Sequence, residues 1–111
     1  MKIKITSGNI HAVAELKNTD TAKAVYKSLP IEGSANRWGN EIYFVIPVNI
    51  DEEPDAKDVV AEGDVAYWIE GACFCIFWGK TPASKGNEVR AASKVNVFGK
   101  VNGDAKIFTK V

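Results

Sequence analysis

Two cysteines set two residues apart, a single histidine, two arginines and a Gly-Lys-Thr triplet carry the most overt chemistry of this chain. Gly79-Lys80-Thr81 ends as a phosphate-binding loop ends. The full pattern needs a further glycine at position 74, so that backbone amides can close on phosphate. Phe74 stands there, inside an apolar run, and phosphate cradling is excluded. On a strand, Cys73 and Cys75 point to the same face, with Cα atoms roughly 6.6 Å apart. That separation is near the upper limit for a disulfide, and the side chains run parallel, so two buried thiols are expected. Zinc needs more ligands than this pair, and His11 is remote in sequence. A nucleophilic thiolate needs an accessible, electropositive setting, which Phe74-Cys75-Ile76 does not offer. His11 has no serine, cysteine or carboxylate in a triad-like context. No catalytic residue is assigned, and no metal or cofactor is expected.

The aromatic residues are more informative. Alternation along residues 73–78 puts Phe74, Ile76 and Trp78 on one face and Cys73, Cys75 and Phe77 on the other. One face must fill a core. The other is covered by a helix or lines a cleft. Trp38 and Trp68 add two amphipathic rings, which favour ligand contact at a surface. All three Trp as plain core is the competing reading. Arg37 precedes Trp38 and Glu41 in a segment of small residues. It is either a paired surface arginine or an anion or carbonyl contact at the rim of an aromatic cleft.

These residues need elements to position them. Residues 2–7 alternate as a strand with Ile3 and Ile5 inward, Gly8-Asn9 turns, and residues 10–16 return as a hairpin partner. Thr19 or Asp20 starts a helix over 20–29, with Ala22, Val25, Tyr26 and Leu29 as its apolar stripe and Pro30 as its stop. Residues 31–40 are irregular. Residues 41–48 read as a strand, with Pro47 at an edge or bulge. Residues 51–58 are acidic and read as a solvated loop without calcium-loop spacing. Strands follow at 65–69 and 72–78, joined by Glu70-Gly71. Residues 79–93 read as a long loop, functional or mobile. Residues 94–100 make the last clear strand, and 105–111 fit a helix or a strand equally. Six or seven short strands with one solid helix exclude a doubly wound sheet and favour a mainly-β barrel or sandwich.

Composition narrows the partners. With 111 residues the chain suggests one domain, over 1–111, which buries about two-thirds of its unfolded surface. Fourteen basic residues balance fourteen acidic ones without clustering, so no nucleic-acid partner is expected. No apolar run approaches the ~20 residues that span a bilayer. The start, Met-Lys-Ile-Lys-Ile-Thr-Ser-Gly, lacks the apolar core of a signal peptide. A cytoplasmic protein without membrane contact is expected.

Several blocks occur together in a particular order. They are Leu29-Pro30-Ile31, Trp38-Gly39-Asn40-Glu41-Ile42-Tyr43-Phe44, Gly63-Asp64-Val65-Ala66-Tyr67-Trp68, Phe74-Cys75-Ile76-Phe77-Trp78-Gly79-Lys80-Thr81-Pro82 and Val95-Asn96-Val97-Phe98-Gly99-Lys100. Over residues 1 to about 103 the chain resembles the small prokaryotic cyclophilin-like proteins of uncharacterised function. The resemblance implies a mainly-β fold, a closed cyclophilin-like β-barrel of about eight strands with one or two helices. It also implies a cleft lined by Glu41, Tyr43, Phe44, Trp68, Phe74, Phe77 and Thr81, to which the residue reading adds Arg37 and Trp38. Tyr43 and Phe44 are adjacent in a strand and cannot share a face. True cyclophilins are peptidyl-prolyl isomerases that bind proline outside the barrel, where an arginine stabilises the twisted amide. Their Phe-His-Arg and Gln-Gly-Gly segments are absent here, so Arg37 is not equated with that arginine.

Three functional expectations follow. The first is a barrel that binds a small molecule or an extended peptide in an aromatic cleft. The second is a divergent peptidyl-prolyl cis-trans isomerase. The third is a non-catalytic subunit whose exposed Trp and Phe bury in another chain, a second copy of this one included.

Overall fold

A computed structural model describes all residues, Met1–Val111. The hairpin of β1 (Lys2–Ser7) and β2 (Ile10–Leu16) pairs from Lys2↔Glu15 to Ser7↔Ile10, with Gly8 in the left-handed region at φ 57°. Helix α1 (Asp20–Lys27) follows, and the Thr19 side chain accepts a hydrogen bond from the Ala22 amide at its start. The remaining strands are β3 (Asn36–Arg37), β4 (Glu41–Val45), β5 (Lys57–Val60), β6 (Asp64–Trp68), β7 (Cys73–Phe77) and β8 (Val89–Val101). A 3-10 helix, Ala105–Lys110, closes the chain and decides its C-terminal conformation.

The eight strands form one antiparallel sheet, seven of them in the order β1-β2-β8-β6-β7-β4-β3 and β5 pairing β8 off that path. β8 is its spine. Val95 pairs with both Lys57 and Trp68, and Lys100 with both Glu15 and Asp64, so β5 and β2 share one edge of β8 while β6 takes the other. The expected closed barrel is corrected here: β1 and β3 are free edges without a ladder between them. β3 is only two residues long, and the chain before it carries Pro30, which has no N–H to give, and Gly33. A cleft of about 430 Å³ fills the seam, bounded by Ile3–Ser7 on one side and Ile31, Phe44, Phe74 and Phe108 on the other.

Other boundaries also differ from the sequence expectation. α1 ends at Lys27, where Ser28 caps it and its hydroxyl donates to the Ala24 carbonyl. Ala22 and Val25 are buried, while Tyr26 and Leu29 stay exposed, because the helix rests on the core through little more than one turn. β4 stops at Val45, ahead of Pro47. Lys57–Val60 is a strand despite its charges, and Val89–Ser93 belongs to β8 rather than to a loop. The rest of that loop is tied internally. The Glu88 carboxylate accepts from the Lys85 and Gly86 amides and from Arg90 Nε, and Arg90 reaches on to Asp58 at 2.7 Å. The Lys85 amide first, then Arg90 and the Gly86 amide, draw the Glu88 pKa down to about 2.

Two apolar clusters lie on the two faces of the sheet. The larger holds Ile42, Val65, Tyr67, Phe74, Ile76, Trp78 and Phe98 together with Ala22 and Val25 of the helix. Phe74 stacks on Phe44 at 5.1 Å and meets Phe98 edge-on at 5.4 Å. The smaller holds Val60, Ala66, Cys73, Cys75, Phe77, Ala91 and Val95. The helix thus covers the first face, and β5 with the first half of β8 covers the second.

Asn96 joins these layers. Its Nδ2 donates to Thr21 Oγ1 at 3.2 Å and to the Asp51 carbonyl at 3.0 Å, and its Oδ1 accepts from the Glu53 amide at 2.9 Å. Thr21 in turn donates to the Glu53 carboxylate. The acidic loop is therefore clamped to β8 and to the start of α1. Asn96→Ala removes all three bonds and strands buried groups. It is expected to lower the unfolding free energy by about 2–4 kcal/mol. Urea denaturation measures this, and a loss under about 1 kcal/mol would rule the clamp out as a stabilising element.

Candidate functional site

Glu41 begins β4, directly after a tight turn. Trp38 N donates to the Glu41 carbonyl at 2.9 Å, leaving Gly39 and Asn40 as the two central residues. Gly39 has φ 64°, the conformation that suits glycine at the first central position of a two-residue hairpin. A Cβ there would also stand 2.9 Å from Thr81 Cα. The turn sets Trp38 opposite Glu41. Alternation along β4 then puts Tyr43 on the same face as Glu41, and Ile42 with Phe44 on the other.

Trp68, at the end of β6, completes the aromatic set. Its Nε1 donates to Ser93 Oγ at 2.7 Å, which ties the indole to β8. The ring also lies over Gly71, where an added Cβ would come within 2.4 Å of it. Trp38, Glu41, Tyr43 and Trp68, with Ala91, Ala92 and Val95 of β8, line a cleft of about 220 Å³. The small alanines of β8 make the space. They lie in what the sequence suggested was a loop. Their signal was an Ala-Ala-Ser triplet just before a strand, too weak to single out.

Glu41 is the polar centre of this cleft. It is only 5% exposed, and its Oε1 has no hydrogen-bond partner. Burial raises its pKa from 4.5 to about 7, with the neighbouring Cys75 thiol opposing that rise. Burial, and secondarily the Glu41 charge, push the thiols of Cys73 and Cys75 up as well. Both cysteines are free and buried, and such neutral thiols are poor nucleophiles. No three His, Cys, Asp or Glu side chains gather into a set able to hold a metal ion.

The other residues expected at the site lie elsewhere. Phe44 and Phe74 line the seam cleft on the opposite face of the sheet. Phe77 is fully buried in the smaller cluster, paired across the ladder with Glu41. Thr81 is buried, and its hydroxyl donates to the Arg90 carbonyl. Arg37 lies with its guanidinium 5.1 Å from the centre of the Trp78 ring, donating to the Gly39 and Thr109 carbonyls at 2.6 and 3.0 Å. It is not part of the aromatic cleft. The polar residues lining the seam cleft, Lys4, Thr6, Ser7 and Glu32, are none of them buried.

With this geometry in view, the chain can be placed. A family model described as Cyclophilin-like matches residues 1–111, and the chain belongs to the cyclophilin-like family. It is similar to a hypothetical protein from Archaeoglobus fulgidus whose solution structure is known. The two are 44% identical, with a TM-score of 0.79, covering 92% of this chain and 79% of that one. No curated protein matches. No helix is long and apolar enough to cross a membrane.

The buried carboxyl gives stability a definite pH dependence. Its folded pKa of about 7 lies above the unfolded value of 4.5. Between those values the unfolded chain loses this proton while the folded chain keeps it, so stability falls as pH rises through that window and levels off above it. The full effect is of the order of 3 kcal/mol. Glu41→Gln removes it. The stability of the variant relative to the parent is expected to grow from pH 4.5 to 7 and then plateau. Urea unfolding at pH 4.5, 6 and 8 checks this, and a pH-independent difference contradicts it.

Proposed function

We propose that this protein binds a small molecule, or one side chain of an extended peptide, in the cleft of Trp38, Glu41, Tyr43 and Trp68. The observation that carries the reading is the unpartnered, buried Oε1 of Glu41 among three aromatic residues. A buried carboxyl oxygen left without a partner typically costs about 1–3 kcal/mol or more, whereas a leucine or glutamine of similar size would avoid the charge altogether. A ligand that supplies the missing partner recovers that cost. The cleft volume of about 220 Å³ is below the roughly 300–1,000 Å³ of drug-sized sites, so the seated group is small.

Arg37 supports binding rather than amide isomerisation as the reading of this cleft. Its guanidinium is held by Trp78, Gly39 and Thr109, and Arg90 by Glu88 and Asp58. Neither is free to meet an amide bound beside Glu41.

An NMR titration with a library of small fragments and short peptides tests the proposal. Localised shifts at Trp38, Tyr43 and Trp68 are expected, and their absence across the library would sink it. Trp68→Ala is expected to weaken any such ligand by about tenfold or more, the usual scale for an aromatic anchor. Arg37→Ala should leave affinity within about twofold.

A further inference from the structure

This inference rests on the cleft reading above and names what the cleft takes. The geometry points to an organic ammonium group, a quaternary or alkylated amine head, enclosed by Trp38, Tyr43 and Trp68 and countered by the Glu41 carboxylate. Aromatic faces attract cations through their quadrupoles, and they do so best where water is excluded. A neutral apolar guest would fill the same space but leave Oε1 without a partner. An amide N–H would satisfy one oxygen and leave the ionised carboxylate without a counter-charge. A cation answers both needs.

The protein supplies no cation of its own. The two arginines next in sequence to the lining residues are Arg37, beside Trp38, and Arg90, beside Ala91. Arg37 lies on Trp78, and Arg90 sits between Glu88 and Asp58 at 2.9 and 2.7 Å. The titratable groups that act on the Glu41 carboxyl are the thiols of Cys73 and Cys75 from β7; Tyr43 of β4 lines the same cleft, and β8 contributes only Ala91, Ala92 and Val95. The Cys75 thiol partly favours the charged carboxylate, but it is itself held neutral by burial, so it supplies no positive charge. A bound ammonium would be the only close counter-charge.

Binding is linked to a proton. The empty cleft holds Glu41 with a pKa of about 7. A permanent cation favours the ionised carboxylate, so at lower pH each binding event releases the carboxyl proton to solvent. Affinity therefore rises as pH rises to about 7 and is flat above it. Between pH 5.5 and 8 the gain is roughly thirtyfold for one proton released.

The test compares choline with its neutral isostere 3,3-dimethyl-1-butanol, read by tryptophan fluorescence and by NMR shifts at Trp38, Tyr43 and Trp68. Choline is expected to bind at least tenfold tighter than the isostere at pH 8, and more weakly at pH 5.5. Glu41→Gln, confirmed folded by its dispersed spectrum, is expected to abolish both the preference for the cation and the pH dependence. Should that variant fail to fold, the pH dependence of the parent protein decides. Equal binding of the two probes, or binding of a neutral fragment or peptide in the cleft without choline, overturns the ammonium assignment and leaves the cleft reading standing. No localised shift with either probe or any library member overturns both.

Discussion

Cys73–Phe77 is buried at every residue, and a strand in that position has to be covered on both faces. Other features follow from that requirement. Phe74 and Ile76 belong to the large core with α1, so the helix is spent on one face. Cys73, Cys75 and Phe77 must be covered by something else, and Val60 of β5 with Ala91 and Val95 of β8 provide that cover. β8 therefore runs for thirteen residues and pairs with β2, β5 and β6 in turn. The two ends of the sheet, β1 and β3, stay unpaired on either side of the seam.

The cleft is a by-product of how that second face is covered. Phe77 packs into the smaller cluster, but beside Glu41 the covering strand presents Ala91 and Ala92 rather than large side chains. Space remains, walled by three aromatic residues. A carboxylate at such a place works against folding at neutral pH, because burial disfavours its charge. Strain of this kind, held in place by the surrounding structure, is a mark of sites rather than of scaffolds.

Much of this was legible in the residues. The β1–β2 hairpin is written in strict alternation and a Gly-Asn turn. The helix start is written in Thr19 and Asp20, and the two-faced character of β7 in Phe74, Ile76 and Trp78 against Cys73, Cys75 and Phe77. The cyclophilin-like family was legible from ordered blocks of residues. β5 and the start of β8 were not, because Lys57-Asp58 and Ala91-Ala92-Ser93 carry no apolar period; their pairing is set by what lies across the ladder. The open seam was not legible either, since it reflects a ladder that fails to form after Pro30 and Gly33.

For the site, the order of residues along β4 is enough to say which side chains share a face. Glu41 and Tyr43 point one way and Phe44 the other, because strand geometry alternates regardless of context. That the Glu41 face is a cleft and the Phe44 face a seam follows from long-range packing alone. It also turned Arg37 toward Trp78 and gave the Thr81 hydroxyl to Arg90. The reason is physical. Burial of a carboxyl, and so its charge, is fixed by strands that are distant in sequence. Ala91 and Val95 line the cleft with Glu41 although they lie some fifty residues further along the chain.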